Sequence, residues 1–568
     1  MSFKINSLFL TDGYKPSHFK MLAPGTTRLY GTWIPRSTKH APKGITKIIS
    51  FGQQLTWKWI HDEFEENFFF RNKIENELDE MNYTSSEKDE VRPSIQKKYK
   101  EKSLSFIKDM SLYLGTEYDG KHFEELWDLG YLPIKVKALP EGIETSPNIP
   151  HMTFINTVDG FAWLTLYLET IVSALAWKPA TSASIALLYK RNTTKYVMET
   201  DPEQAFLIPF MCHDFSARGL DPWSMVSSGL GHATSFKGSD TLPVIPAARY
   251  FYNEPENEVC INSVNASEHS VSTTKIFTVG EQQMIADWLQ LFPKGILSIV
   301  SDTFDLWKLI TEYLPANKDA IMARDGKLVI RPDSGNPVDI ICGDAWRVQG
   351  FTEGVLNKVG ENGVVLNYTD NKYYKVKLNS NYEVIGEETT DVTPANKGVI
   401  ELLWEVFGGT INEQGYKVLD PHIGAIYGDS ITPARQLEMY QRLEAKKFAA
   451  TNIVVGVGSF TYQYNTRDTL GFAAKGAWFE VETLAAGHKA IKIKKSYNIY
   501  KDPVTDDGTK KSLKGLLCVS QNTNGEYVVA TECTWEEESQ GLLQTIYEDG
   551  KFYNQQTLEQ IRSRLCSV

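Results

Sequence analysis

Four apolar segments of this chain each stop abruptly on acidic, glycine or serine residues. Leu297–Val300 runs into Ser301-Asp302-Thr303-Phe304-Asp305, and Lys327–Ile330 into Arg331-Pro332-Asp333-Ser334-Gly335. Ile423–Tyr427 runs into Gly428-Asp429-Ser430, and Asn452–Val455 into Gly456-Val457-Gly458-Ser459. Short apolar runs that end on polar turns predict strands of an α/β enzyme, whose site gathers at the loops beyond the strands' carboxyl ends. These loops mix carboxylates, an arginine and small-residue turns, a set suited to a metal-associated, multiply phosphorylated sugar. From Ala205 to about Trp478 apolar runs alternate with polar loops and helical patterns, the (β/α) rhythm. Within it, a strand Phe206–Met211 is expected to lead into His213. A helix is expected after Ser430-Ile431, with Thr432 as cap, Pro433 in its first turn, and Leu437, Tyr440 and Leu443 buried.

At 568 residues the chain exceeds one small core. The expected division is an N-terminal α/β domain over 1–180, a (β/α) barrel over 181–480, and a C-terminal segment over 481–568 packing back on the first domain. An insertion at about 341–398 breaks the barrel rhythm, with a hairpin turning at Asp370-Asn371-Lys372. The charged stretch Glu75–Lys102 reads as solvated helix and loop. A net charge of −12 argues against a nucleic-acid backbone as partner but leaves room for phosphate in a locally basic pocket. The six dispersed cysteines form neither a zinc pattern nor a disulfide framework, which fits a reducing cytoplasm. No signal-type N-terminus and no run of membrane-spanning length is seen, so a soluble protein is expected.

Asp302, Asp305 and Asp333 at one barrel mouth would repel each other unless a cation or a cationic group separated them. Mg²⁺ is suited to that place because it takes oxygen ligands while holding substrate phosphates; a helix cap is the plain alternative for any single aspartate. The turns Gly428-Asp429-Ser430 and Gly456-Val457-Gly458-Ser459 expose amides of the kind that hold phosphate. Arg467 offers fork geometry for a second phosphate, with a surface ion pair as its alternative. Phe215 and Arg218 suit a flat polar ring, and Asp240 suits an amide NH₂. A core Phe215 and a surface-paired Arg218 are equally compatible with the sequence. His269, as an imidazole, suits proton relay or phosphoryl acceptance, although a lone histidine is more often structural. Walker, dinucleotide, nucleophile-elbow and His-Glu-x-x-His signatures are absent from the sequence.

Taken together, Thr11–His18, His213-Asp214-Phe215 with Arg218-Gly219, Phe236–Thr241, Glu268-His269-Ser270, Val300-Ser301-Asp302, Ile330–Pro337, Gly428-Asp429, Gly456-Val457-Gly458, Thr466-Arg467-Asp468 and Lys501–Val504 resemble the nicotinamide phosphoribosyltransferase family along nearly the whole chain. That resemblance implies an α/β fold, an irregular (β/α) barrel of the type II phosphoribosyltransferase kind with an additional α/β domain. It implies transfer of the phosphoribosyl group of 5-phosphoribosyl-1-pyrophosphate to nicotinamide, with Mg²⁺, with ATP as a coupled activating substrate, and in a homodimer with interfacial sites. By the same resemblance Phe215, and Tyr14 from the partner subunit, sandwich the pyridine ring, while Arg218 and Asp240 meet its carboxamide. Asp302 and Asp333 hold Mg²⁺ and the ribosyl pyrophosphate, with Arg331 on its phosphates and Ser298 among the substrate contacts. Asp333, Gly428 and Asp429 hold the ribose, and Gly458 and Ser459 the 5′-phosphate. Arg36, Arg467, Lys475, Lys501 and Lys510 bind pyrophosphate and ATP phosphates, and His269 is phosphorylated. The sequence departs from the family in the turn Gly456–Phe460, where Phe460 crowds a glycine-rich loop, and in the insertion. A phosphoribosyltransferase for nicotinate or another small base, and a catalytically silent homologue, are the competing readings.

Overall fold

The computed structural model describes residues 4–428, 430–484, 492–501 and 513–566. Its contacts form two units, one of Met1–Ser184, Pro246–Glu256 and Asn465–Val568, the other of Ile185–Ile245 and Asn257–Tyr464.

The second unit is built on six parallel strands: β1 (Cys212–Phe215), β2 (Asn265–Ala266), β3 (Leu297–Val300), β4 (Leu328–Arg331), β5 (Ile423–Tyr427) and β6 (Ile453–Gly458), in spatial order β1-β6-β5-β4-β3-β2. At the β1 edge the sheet continues through two single parallel bridges, Asp214 to Ser239 and Gly238 to Asn262. The result is an open barrel. Strands β3 and β5 are buried along their whole length, as expected of parallel strands covered on both faces. Gly456 permits the close packing of β6 on β5, since a Cβ there would stand 2.5 Å from the Tyr427 carbonyl oxygen.

Two local expectations change. Pro202–Phe210 is 3₁₀-helical rather than strand, because Pro202 and Pro209 lack the N–H that a ladder requires. Strand β1 begins only at Cys212, so His213 and Phe215 lie within it. The helix Pro433–Ala445 is capped by Thr432 Oγ1, which accepts from the Arg435 N–H at 3.3 Å, with Pro433 at its start. Its buried face is Gln436, Met439, Tyr440 and Leu443, with Leu437 only half-buried. Gln436 replaces Leu437 there because its amide donates to Thr193 Oγ1 at 2.9 Å and the Tyr189 carbonyl at 3.3 Å, satisfying the buried polar group.

Between β4 and β5 the chain adds a four-stranded sheet, Trp346–Val348, Val364–Asn367, Lys372–Leu378 and Val384–Glu388. The middle two strands pair antiparallel across Asp370 and Asn371, the latter at φ 56°. Val348, Val365 and Val376 form a small core of its own.

The first unit centres on a seven-stranded antiparallel sheet in the order Lys492–Asn498, Ala473–Leu484, Thr26–Ile34, Met152–Asn156, Ile134–Ala138, Gln544–Glu548, Lys551–Phe552. Three strands from the first part of the chain thus sit side by side, flanked on each edge by two strands from its end. Glu75–Lys102 falls in the helices Arg71–Glu80 and Ser85–Leu114, joined by Arg92–Glu75 and Lys98–Glu77 ion pairs and by a small apolar cluster of Ile74, Leu78 and Ile95. The helix Glu169–Thr200 is, by length and composition, apolar enough to cross a membrane, contrary to the sequence reading; 78% of its apolar window is buried, as in a core helix.

Candidate active site

The carboxyl ends of the barrel strands carry the polar residues singled out in the sequence. The loop after β3 supplies Asp302, and the loop after β4 supplies Asp333. Asp302 Oδ2 accepts from the backbone N–H groups of Asp333 at 2.9 Å and Ser334 at 2.7 Å, so one carboxylate shapes the loop that carries the other. His269, at the start of the helix His269–Val279, places Nε2 3.7 Å from both Asp302 Oδ1 and Asp333 Oδ2. Its Nδ1 lies 3.2 Å from Thr303 Oγ1. Two carboxylates and one imidazole therefore converge.

Asp302 Oδ1 is buried and has no hydrogen-bond partner. A buried carboxylate oxygen without a donor is a costly arrangement unless a cation or substrate proton meets it. Among the described residues no group of three or more His, Cys, Asp or Glu side chains forms a metal cage. The arrangement fits an ion that takes one or two carboxylates and completes its shell from substrate phosphates and water, which is the habit of Mg²⁺.

Gly428 lies beside this cluster: a Cβ there would come within 2.7 Å of Asp333 Oδ1 and 3.4 Å of Arg331 Cδ. Arg331 is half-buried and donates from Nη2 to the Ser267 carbonyl oxygen at 2.5 Å. Ser298 sits inside β3, almost fully buried, with its carbonyl accepting from the Ser267 N–H at 3.0 Å. Gly458 ends β6, and Ser459 opens the short helix Ser459–Gln463. Ser459 packs on Gly219, where a Cβ would lie 2.4 Å from its side chain. Phe460 is about half exposed and stacks on Tyr464 at 4.5 Å.

A second cluster forms around β1. The fully buried Asp214 accepts from the Ser216 N–H at 2.9 Å and from Thr241 Oγ1 at 2.8 Å, fixing the two loops that carry Phe215 and Asp240. Phe215 lies 4.5 Å from the ring of His213. His213 Nε2 stands 2.9 Å from Asp240 Oδ1, and Ser263 Oγ donates to the same oxygen. Burial pushes the Asp240 carboxyl up, but the His213 and Ser263 hydrogen bonds, the His213 charge and the Arg331 guanidinium together hold it below its ordinary value. Arg218 is 90% exposed and pairs with Glu268 at 3.0 Å.

Tyr14, Arg36, Arg467, Lys475 and Lys501 belong to the first unit. Tyr14, Arg467 and Lys475 line one cavity of about 270 Å³ together with Asp12, Lys15 and Glu169. Lys15 and Glu169 form an ion pair of 2.5 Å on its wall. Burial and the Asp12 and Glu169 carboxylates raise the Tyr14 hydroxyl above its usual range. Arg36 donates from Nε to the Gly471 carbonyl oxygen at 3.1 Å and shares a small adjoining recess with Lys475. Lys501 follows the strand Lys492–Asn498 and is exposed. Asp429 and Lys510 lie outside the described residues.

Sequence reasoning quoted Thr303, Glu268 and Lys15 only within longer stretches and gave them no role, and it passed over Ser263 and Glu169. His213 and Asp214 stood in a quoted motif, but nothing in their spacing showed that one holds Asp240 and the other fastens two loops.

Comparison with known proteins identifies the family of the chain. The profile of the nicotinate phosphoribosyltransferase (NAPRTase) family matches residues 210–551. A nicotinamide phosphoribosyltransferase of Acinetobacter baylyi is 36% identical over 582 aligned positions, covering 100% of this chain and 98% of the relative. A nicotinamide phosphoribosyltransferase of Xanthomonas campestris pv. campestris is 28% identical over 453 positions, covering 76% of this chain and 79% of the relative. In fold, the chain is similar to the crystal structure of nicotinate-nucleotide pyrophosphorylase from Pyrococcus furiosus, with a TM-score of 0.50 at 13% identity over 100% of this chain and 97% of that one. The chain is a phosphoribosyltransferase with the barrel of the type II enzymes, and it belongs to the nicotinate phosphoribosyltransferase family, alongside that family's nicotinamide phosphoribosyltransferases.

Proposed function

We propose that this enzyme transfers the 5-phosphoribosyl group from 5-phosphoribosyl-1-pyrophosphate to nicotinamide, forming nicotinamide mononucleotide and pyrophosphate in cytoplasmic NAD salvage. The observation that carries the choice of base is Asp240, whose backbone N–H is tied to the Asp214 carbonyl of β1 and whose Oδ1 accepts from His213 and Ser263, with the carboxyl held below its ordinary value. An ionised carboxylate accepts from the NH₂ of nicotinamide and repels the carboxylate of nicotinate. Phe215 presents a ring face to the pyridine, and Arg218 and Arg331 supply cations for the carboxamide oxygen and the leaving group.

Breaking the C1–O bond to pyrophosphate develops positive charge on the ribose, as in glycoside transfer. Asp333, given room by Gly428 and tied to Asp302 through its backbone N–H, would favour that charge. The pyridine nitrogen attacks the opposite face, so no nucleophilic side chain is needed. Asp302 and Asp333 would hold Mg²⁺, which neutralises the pyrophosphate as it leaves. Gly458 and Ser459 seat the 5′-phosphate. His269 serves as phosphoryl acceptor from ATP, a role supported by its exposure and its place between the two carboxylates. In a homodimer, Tyr14, Arg36, Arg467, Lys475 and Lys501 of one subunit complete the base and phosphate sites of the other. Their support is the cavity that gathers Tyr14, Arg467 and Lys475.

The Asp240→Asn variant tests the base assignment. The asparagine side chain keeps an acceptor but loses the charge, so the preference for nicotinamide over nicotinate should fall by about thirtyfold, mainly through better use of nicotinate. Steady-state kcat/KM with both bases measures it. An unchanged preference would remove Asp240 from base choice.

A further inference from the structure

Asp240 is reached by donors from two neighbouring segments of the barrel wall. Its backbone N–H donates to the Asp214 carbonyl of β1 at 2.9 Å, and the Ser239 N–H donates to the Asn262 carbonyl at 3.0 Å. The same two neighbours then supply one side chain each: His213 from β1 and Ser263 from the segment after Asn262, both on Oδ1. Because a carboxylate only accepts, the His213 nitrogen facing it must carry the proton. Gly238 lets this loop lie against β1, since a Cβ there would be 3.0 Å from His213 Nδ1 and 3.2 Å from the Cys212 carbonyl oxygen.

We propose that Ser263 and His213 are positioning residues for base selection: by occupying Oδ1 together they fix the Asp240 carboxylate so that Oδ2 alone is offered to the carboxamide NH₂. This rests on the nicotinamide reading above. Two donors on one oxygen remove the rotational freedom of χ2, so the free oxygen is set before the base arrives, which lowers the cost of binding. They also keep the group ionised, in line with its lowered pKa. Ser263 is exposed and at the edge of the wall, so its hydroxyl is not needed to fill a core.

The test uses the full-length protein with Ser263→Ala, Ser263→Thr and His213→Gln, each assayed with nicotinamide and with nicotinate. In the alanine variant KM for nicotinamide should rise about tenfold while kcat stays within about twofold, and the preference over nicotinate should fall about tenfold. KM for 5-phosphoribosyl-1-pyrophosphate should not move, which a general loss of structure would not allow. Threonine restores the hydroxyl and glutamine keeps a donor near the Nε2 position, so both should stay near wild type. If the wild type prefers nicotinamide and Ser263→Ala retains both its KM and its preference, the clamp is refuted while the function stands. A wild type that makes no mononucleotide from nicotinamide overturns the functional reading and the clamp with it.

Discussion

Replacing Asp302 by asparagine should lower kcat about a thousandfold and leave the fold intact. Asp302 has two separable duties. Oδ2 accepts from two successive backbone N–H groups, Asp333 and Ser334, and Oδ1 faces His269 without a hydrogen-bond partner. Asparagine can retain the first duty with its carbonyl oxygen, while its NH₂ abolishes the second. The melting temperature of Asp302→Asn should therefore stay within a few degrees of wild type. Asp302→Ala loses both duties and gives two exposed amides back to water, so it should be destabilised by about 1 kcal/mol as well as inactive. Thermal melts and single-turnover rates separate the two effects. A kcat within tenfold of wild type for the asparagine variant would show that the charge of Asp302 is not used in the reaction.

The second large effect is expected at Gly428. An added Cβ would stand 2.7 Å from Asp333 Oδ1, closer than real contacts allow. The obstructed atom is the end of a flexible side chain, so the protein can yield by turning the Asp333 carboxylate aside. Stability should change little. The carboxylate would, however, leave the position shared with His269 and Asp302, and a displacement of this size costs about a hundredfold in rate. Gly428→Ala should thus lose about two orders of magnitude in kcat/KM for the phosphoribosyl donor with an unaltered melting temperature. Gly456 gives the contrast, because there the Cβ would meet the backbone of Tyr427 and Gly428, which cannot step aside. If Gly428→Ala works as well as wild type, the placement of Asp333 beside the ribose is wrong.

The strand ends were legible because burial and chemistry change at the same residue. Leu297–Val300 is wholly buried and Asp302 follows it within two positions, so the apolar run and the acid mark the barrel wall and its mouth together. Resemblance then attached substrate parts to these ends. Other features depend on long-range pairing. Ala473–Leu484 reads as a continuation of the barrel pattern, yet it pairs with Thr26–Ile34 from the opposite end of the chain. The strand expected at Phe206–Met211 is apolar enough for a ladder but lacks the N–H at Pro209, and most of it winds into a 3₁₀ helix instead. Gln436 shows the limit of hydrophobic periodicity: a polar residue takes a core position because Thr193 and Tyr189 supply its partners from a distant helix. Ser263 is the sharpest case at the site. An isolated serine carries no pattern, and only its donation to Asp240 Oδ1 shows what it does.

An ionised Asp240 at the mouth of the barrel should make nicotinamide, not nicotinate, the preferred base. The most direct test is mononucleotide formation by the purified wild-type enzyme with 5-phosphoribosyl-1-pyrophosphate and Mg²⁺, comparing kcat/KM for nicotinamide and nicotinate. Like-charge opposition of several kcal/mol predicts a preference for nicotinamide of at least about a hundredfold. Comparable values for the two bases, or no product from nicotinamide, would contradict it.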